Sequence, residues 1–288
     1  MKDLNYQLMK LCRTNRDGSF STQATRKGIL NRIANQLHEL GYKHMRAKSL
    51  KPKHVEALVS LWKDQDLSVG TLKNLLSGLR WWARHVGKDD MIPKDNNAFD
   101  IGKRSQVGAE SKAWELKKAQ LEKISDPYVR LSLRLQAAFG LRREEAIKFR
   151  PNYAIKDDHI RLKASWTKGG RARTVPIRTD EQRQLLEEVK ALAKGGALIP
   201  SDKNYEEQKN RYDGQVRTAA IKNPHGLRHD YAQRRYEELT GWKAPVAGGP
   251  ASKSLTKTQR ARDKGARETI SRELGHTREE ISARYLGR

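Results

Sequence analysis

The stretch Asn223-Pro224-His225-Gly226-Leu227-Arg228-His229-Asp230-Tyr231 combines a helix-start signal with side chains that can bind an anion. Asn before Pro is typical of a helix N-cap followed by the first helical position, because Pro needs no backbone hydrogen-bond partner there. His225 and Arg228 then share one face of the first turns, where free backbone N–H groups favour an anion. The pair predicts a phosphate site, while a partly buried His beside a solvated Arg is the plainer alternative.

The composition indicates the kind of partner. The 288 residues are enough for one large domain or two ordinary ones. Lys and Arg total 59 against 34 Asp and Glu, a net charge of +25, which favours nucleic acid over an anionic membrane surface. No long apolar run or secretory leader is present, so we expect no membrane association and a cytoplasmic location. Cys12 is the single cysteine, which excludes an internal disulfide and a cysteine-based zinc site.

Residues 1–107 are expected to form a small bundle of helices. Apolar residues recur at helical spacing in four segments, which begin near the N-terminus, at Ser21 or Thr22, at Pro52 and near Ser68.

Many positive charges lie between the apolar stripes of this bundle. A solvated basic surface is one interpretation and contact with DNA phosphates is the other, which the net charge of the chain favours. The predicted DNA contacts are Arg26, Lys27, Arg32, Lys73 and Arg80.

The helical periodicity fails from Met91 to Ala113, where Pro93, Gly102 and Gly108 interrupt a polar, basic stretch. The stretch predicts a linker that continues to about residue 112. A second domain is predicted over residues 113–288.

A helix is predicted to end at Gly140, and a new helical pattern follows at once. Arg142 then lies at a helix start after a tight turn, where its guanidinium can reach a phosphate. Glu145 lies on the same helical side and can hold that guanidinium, although a surface Arg–Glu pair fits equally well.

Three short strands are predicted at Tyr153–Ile155, His159–Lys163 and Ala172–Ile177, because apolar and polar residues alternate between turn signals. The fold class is therefore mainly α with a small antiparallel β-sheet. Lys168 lies at the tip of a hairpin, where its ammonium can reach a ligand or remain in solvent.

The last part of the chain begins with residues 241–269, which are rich in Gly, Pro and Ser and carry seven Lys or Arg against two Asp or Glu. A mobile basic loop with DNA contacts is expected here. His276 follows in a Leu-Gly-His sequence, and a final helix is predicted to carry Ile281 and Tyr285.

Five separated signals together resemble the tyrosine recombinase (phage integrase) family. They are, in chain order, Arg142 in Gly-Leu-Arg-x-x-Glu, Lys168 on a hairpin, His225-x-x-Arg228, His276 in Leu-Gly-His, and Tyr285 nine residues further on. The resemblance covers residues 112–288 by motif. The helical unit before it is similar to the family's N-terminal core-binding, SAM-like domain by position, size and charge.

The resemblance implies a role for each residue. Tyr285 is the expected nucleophile, which attacks a DNA phosphodiester to leave a 3′-phosphotyrosyl link and a free 5′-hydroxyl. Arg142 and Arg228 are expected to bind the non-bridging oxygens, with no metal or other cofactor required. His225 is expected to assist proton removal from Tyr285, and Lys168 to protonate the departing 5′-oxygen.

His276 is expected to donate a hydrogen bond to the phosphate, and Glu145 to orient its neighbours. The resemblance also implies double-stranded DNA as the substrate and a homotetramer on the DNA synapse. Accessory DNA-bending or directionality proteins are candidate partners.

Two departures from the family pattern stand out. The connection at residues 241–269 is longer than usual, as in an insertion specific to a subgroup. Only Leu286-Gly287-Arg288 follow Tyr285, whereas many relatives add a tail that docks on a neighbouring subunit. The loop or the final helix is the candidate to replace that route of subunit communication.

The main hypothesis is a site-specific DNA recombinase, an integrase of a mobile element. The first alternative is a type IB topoisomerase-like relaxing enzyme, which the small N-terminal unit disfavours. The second is a DNA-binding regulator on the same scaffold that does not cut.

Overall fold

The computed structural model describes residues 3–103, 110–276 and 282–288. The chain forms two compact units, an N-terminal unit of Met1–Ser105 and a C-terminal unit of Gln106–Arg288. Each unit has hydrophobic core clusters of its own.

The described residues of the N-terminal unit form four α-helices. They are α1 (Asp3–Thr14), α2 (Phe20–Glu39), α3 (Pro52–Asp64) and α4 (Val69–His85). Their apolar stripes are buried against one another, with Trp62 and Trp82 in the core, as the helical spacing predicts. The predicted start of α2 is wrong by two or three residues, because the Ser19 side chain caps this helix by accepting the Thr22 N–H at 3.2 Å.

The N-terminal core extends beyond α4. Short 3-10 turns form at Asp89–Met91 and Asn96–Phe99, and Ile92 and Ile101 are buried in the same cluster. The first part of the predicted linker is therefore folded without helical periodicity. Residues 104–109 of that linker lie outside the described residues.

The C-terminal unit is built around one central helix. The described α-helices of the C-terminal unit are α5 (Lys118–Glu122), α6 (Pro127–Phe139), α7 (Arg143–Ile147), α8 (Pro151–Ala154), α9 (Asp180–Ala193), α10 (Tyr205–Thr218), α11 (Gly226–Thr240), α12 (Lys257–Glu273) and α13 (Ala283–Leu286). The central helix α11 packs against α6, α12 and α13. Leu227, Tyr231 and Tyr236 of α11 are buried in its core clusters.

One antiparallel hairpin completes the C-terminal unit. Strand β1 (His159–Leu162) pairs with β2 (Arg173–Pro176), with Ile160 opposite Val175. The predicted third strand at Tyr153–Ile155 is wrong, because Pro151 at the first helical position starts α8. Only Ile155 contributes, through an isolated bridge to Ile160.

The expectation of a loop over residues 241–269 is wrong for residues 257–269, which are helical, whereas residues 241–256 contain only turns and short 3-10 turns. Thr256 caps α12, which extends over seventeen residues and buries Ala266 and Ile270 in the core of the C-terminal unit. The segment contains so many charged residues that its composition does not reveal the apolar stripe of α12. No helix in the described part of the chain is long and apolar enough to span a membrane.

Candidate active site

Arg228 is wholly buried in the first turn of α11 and joins three of the predicted motifs. Its Nη1 donates to the carbonyl of Gly140 and its Nη2 to the carbonyl of Leu274. These carbonyls belong to the Gly-Leu-Arg and Leu-Gly-His sequences. Its Nε donates to the Tyr285 hydroxyl at 3.4 Å. Burial lowers the pKa of Arg228 to about 10, so the guanidinium remains a cation at neutral pH.

Arg142 is held at the N-cap of α7 by Glu145, as the sequence predicts. The carboxylate of Glu145 accepts the Arg142 backbone N–H at 2.7 Å and its Nη1 at 2.9 Å. The Glu145 side chain is fully buried, whereas that of Arg142 keeps 21% of its surface exposed. Arg142 can therefore still present N–H groups to a ligand.

Arg173 of β2 anchors Glu145 from the other side. Its Nη1 and Nη2 donate to the two carboxylate oxygens at 2.8 and 2.6 Å, and its Nε donates to the Glu273 carbonyl at 2.8 Å. Burial opposes the ionisation of Glu145, but the Arg173 hydrogen bonds and the charges of Arg173, Arg228 and Arg142 outweigh it and lower the pKa to about 2. Glu145 is thus a permanent anion.

The site carries an excess of positive charge. Three guanidiniums, those of Arg142, Arg173 and Arg228, face the single carboxylate of Glu145, which leaves a surplus of two positive charges. Two of the three nitrogens of Arg228 donate to neutral carbonyls, which leave its charge uncompensated. Fixed guanidiniums of this kind can bind the non-bridging oxygens of a phosphodiester.

His225 stands at the N-cap of α11. The predicted cap at Asn223 is wrong by two residues, because the Gly226 N–H bonds the Asn223 carbonyl at 2.9 Å in a tighter i to i−3 turn before the α-helix begins. Gly226 has no room for a side chain, since a Cβ there would lie 2.3 Å from Cδ1 of Trp114. The packed segment before α5 therefore fixes the position of His225.

Three imidazoles surround the Tyr285 ring. The ring centroids of His229, His276 and His225 lie 4.6, 5.6 and 6.2 Å from it. Burial, together with the charge of Arg228, lowers the pKa of His225 and His229 to about 4 and that of His276 to about 3. All three rings are therefore neutral at pH 7. The described residues contain no group of three or more His, Cys, Asp or Glu that could hold a metal ion.

Tyr285 itself is buried in α13, with only 5% of its surface exposed. Its backbone carbonyl accepts the Gln233 amide at 2.9 Å, and its hydroxyl faces Arg228. The predicted nucleophile, Arg142, Arg228, His225 and His276 are thus brought together in one place.

Lys168 is not brought into contact with these residues. It is exposed in the connection between β1 and β2, next to Gly169 and Gly170, which both adopt positive φ. Among the described residues its ammonium has no hydrogen-bond or ion-pair partner. The hairpin position agrees with the sequence analysis, but the proximity to Tyr285 stays a prediction.

The five predicted DNA contacts of the N-terminal unit fall into two groups. Arg26 pairs with Asp17 through two nitrogens at 2.8 and 2.9 Å, and Arg80 donates to the Pro93 carbonyl, so both are engaged within the fold. The remaining three lie at the surface with at most one weak partner. They are exposed Lys27, half-buried Lys73, and exposed Arg32, which lies 3.5 Å from the Gln65 amide oxygen.

Two residues of the site were missed by the sequence analysis. Arg173 alternates with exposed Thr174 along β2, on the same buried side as Val175, and a charged residue at an inward strand position was the available signal. His229 lies four residues after His225 on α11, which places both rings on one helix face.

Two family models match the chain. Residues 1–92 match the model described as phage integrase, N-terminal, and residues 101–234 match the model described as integrase. With the tyrosine beside a buried guanidinium, these matches define the class of the protein, a tyrosine-type site-specific recombinase. The chain belongs to the phage integrase family, which confirms the resemblance found in the sequence.

Solved structures share the fold at low sequence identity. A lambda integrase dimer bound to a COC′ core site is 15% identical, with a TM-score of 0.63 over 98% of this chain and 76% of that chain. The XerH site-specific recombinase bound to difH substrate, in a pre-cleavage complex, is 17% identical, with a TM-score of 0.57 over 98% and 80%. The Tn1549 transposon integrase with circular intermediate DNA is 14% identical, with a TM-score of 0.55 over 100% and 96%. No curated protein gives a significant match.

Proposed function

We propose that this protein cleaves and rejoins double-stranded DNA at a specific site through a 3′-phosphotyrosyl intermediate on Tyr285. The observation that carries the proposal is the contact of the Tyr285 hydroxyl with the buried, charged guanidinium of Arg228, beside Arg142. A phenol in such a place can attack a phosphate that the same guanidiniums bind.

The chemistry follows from the charges. The phenol oxygen of Tyr285 forms a bond to phosphorus while the bond to the 5′-oxygen breaks, and the negative charge on the non-bridging oxygens meets Arg142 and Arg228. The phosphodiester energy is kept in the tyrosyl link, so a 5′-hydroxyl of another strand can reverse the step. No water molecule takes part.

Proton transfer is assigned to one neutral imidazole and one ammonium. His225 is unprotonated at neutral pH and accepts the phenol proton, and Lys168 delivers a proton to the departing 5′-oxygen. The buried Nε2 of His276 has no hydrogen-bond partner among the described residues, which suits a donor to a phosphate oxygen. Glu145 orients Arg142.

We also propose how the enzyme acts in the cell. Four copies assemble on two DNA sites, and the N-terminal unit contacts DNA phosphates through Lys27, Arg32 and Lys73. A lambda integrase tetramer bound to a Holliday junction shares the fold, which supports this assembly. The reaction integrates or excises a mobile element in the cytoplasm of its host, with accessory DNA-bending or directionality proteins as further partners.

A nicked DNA substrate tests the proposal. Duplexes selected for binding from a random library supply the site, and a nick beside the scissile phosphate lets the 5′-hydroxyl fragment diffuse away and traps the adduct. We expect a covalent protein–DNA adduct that mass spectrometry maps to Tyr285 and that Tyr285→Phe abolishes.

Two outcomes separate the alternatives. Specific binding without an adduct would assign the protein to the non-cutting regulators. An adduct together with relaxation of supercoiled DNA, but no strand exchange between two sites, would assign it to the relaxing enzymes.

A further inference from the structure

The residues that follow Tyr285 are held by a segment that the proposed chemistry does not use. This tail-binding segment, residues 242–267, contains 3-10 turns at Pro245–Ala247 and Ser252–Ser254 and the first part of α12. It lies within the region that departs from the family pattern.

Arg267 is the charged centre of the tail-binding segment. It is 4% exposed, and its Nη1 donates to the carbonyl of Gly287 at 3.0 Å. Its Nε donates to Asp263 at 2.8 Å and its guanidinium lies 5.6 Å from the centre of the Tyr236 ring. Tyr236 also donates to Asp263. The position of the Arg267 guanidinium is therefore fixed by Asp263 and Tyr236, independently of its contact with the tail.

Gly287 fits the segment at backbone level. Its φ is +74°, and a Cβ there would lie 2.9 Å from the backbone nitrogen of Val246. The adjoining Leu286 is fully buried in the cluster that contains Ala244. Leu286 and Gly287 are therefore both packed on the tail-binding segment.

The other side of Tyr285 is held by α11. The Gln233 amide donates to the Tyr285 carbonyl at 2.9 Å and to the Ser111 hydroxyl at 3.0 Å. Helix α13 has only four residues, and so short a helix is not stable by itself. Its position, and that of the phenol, must come from these tertiary contacts.

We propose that the tail-binding segment positions Tyr285 in cis, with Arg267 as the positioning residue that fixes α13 of its own chain. Leu286 and Gly287 of each copy thus dock on that same copy. The inference rests on the proposed function, because it concerns the placement of the proposed nucleophile.

Substitution of Arg267 tests the positioning role. With saturating nicked DNA, Arg267→Met should slow adduct formation about 10- to 100-fold, because a displacement of about 1 Å costs that much. DNA affinity should stay unchanged, and Arg267→Lys should recover part of the rate. Lys264→Met is the control: it also removes one positive charge from α12, but at an exposed position, and this variant should cleave at the wild-type rate. Wild-type cleavage by Arg267→Met would overturn the proposal.

Gly287→Ala disturbs the same seat without removing a buried charge. The added Cβ should push the tail from Val246 and slow cleavage, even where Arg267→Met folds poorly. A Gly287→Ala protein that cleaves at the normal rate would contradict the proposal.

Mixed subunits distinguish docking in cis from docking in trans. A chain that carries both Tyr285→Phe and Arg267→Met cannot cleave by itself. If Arg267 acts only within its own chain, its loss from this chain should leave cleavage by a wild-type neighbour unchanged. Wild type mixed with this double variant should therefore cleave as well as wild type mixed with Tyr285→Phe alone. Lower cleavage with the double variant would show that Arg267 serves a neighbour, and would overturn the proposal.

Hydrogen exchange without DNA separates this inference from the proposed function. Arg267→Met should exchange faster in a peptide that covers residues 282–288, while peptides from α6 and α9 keep their protection. Unchanged exchange would refute the seating itself. A missing Tyr285 adduct in the wild type would refute the cleavage proposal alone.

Discussion

At the scale of single residues, Arg142 and Arg228 differ in how the protein holds them. Arg228 is wholly buried and supports two backbone carbonyls, so its removal disturbs the fold as well as the chemistry. Arg142 keeps an exposed face and is the cleaner test. We expect Arg142→Ala to lower the single-turnover cleavage rate about 1000-fold or more, because the negative charge on the phosphate in the transition state loses a hydrogen-bond donor.

DNA binding by Arg142→Ala serves as the control. One phosphate contact among many is lost, so the affinity for DNA should fall slightly. The slope of log affinity against log salt concentration should decrease in magnitude by about one. Cleavage by this variant at the wild-type rate would remove Arg142 from the site.

The Glu145–Arg173 pair allows a second prediction at this scale. Removal of Glu145 leaves the buried charge of Arg173 without its carboxylate, so Glu145→Gln should lower the free energy of unfolding by about 3–5 kcal/mol. Arg173→Gln should cost less, because Glu145 keeps its ion pair with Arg142. The double variant should lose much less than the sum, as urea unfolding can measure. The more exposed Arg134–Glu188 pair is the matched control and should change stability by under about 1 kcal/mol. Additive losses for Glu145 and Arg173 would contradict the pairing.

At the scale of elements, the turn between α6 and α7 depends on Gly140. Its φ is +62°, and a Cβ would lie 2.6 Å from Cδ1 of Tyr231. Gly140→Ala should therefore lower the free energy of unfolding by more than about 1 kcal/mol. In contrast, Gly265 lies inside α12, where a Cβ would meet nothing within 4 Å beyond the adjacent backbone of its own helix, and Gly265→Ala should stabilise by about 0.5–1 kcal/mol. Thermal unfolding of both variants measures this difference. Equal changes in melting temperature for Gly140→Ala and Gly265→Ala would refute it.

The hairpin carries its own prediction through Lys168. If this ammonium protonates the leaving 5′-oxygen, Lys168→Met should lower cleavage about 100- to 10,000-fold. A 5′-bridging phosphorothiolate should restore the rate, because a thiolate leaves without a proton. Arg142→Ala should not be restored by the same DNA. A sulfur substrate that leaves the Lys168→Met defect unchanged would assign the proton to another group.

At the scale of the whole molecule, the neutral imidazoles make stability depend on pH. The folded pKa of His229 lies near 4, below the ordinary 6.5, so the unfolded chain takes up a proton that the folded chain does not. The free energy of unfolding should therefore fall as pH drops from about 6.5 towards 4. For buried His229 this amounts to at most about 2 kcal/mol between pH 7 and pH 5. Urea unfolding of His229→Asn should show a smaller pH dependence, and an identical slope would contradict the assignment.

Helices with a clear apolar stripe and a cap signal could be predicted from the sequence. The helices α3 and α4 begin where Pro52 and Ser68 indicate, and α6 ends at Gly140, because local backbone chemistry determines where a helix starts and stops. The helix α12 was missed, since its stripe of buried residues is narrow among many charges. The segment before β1 was misread because short apolar runs suit a strand and a helix equally.

The sequence by itself determined the class of the protein, since spaced motifs around Arg142, Arg228 and Tyr285 record which chemical groups are present and in which order. Only the tertiary structure decided how those groups are held. Arg228 bonds carbonyls distant in the chain, Arg173 neutralises Glu145 from another element, and Arg267 seats the residues after Tyr285. Such contacts depend on the packing of elements far apart in sequence, and no local pattern encodes them.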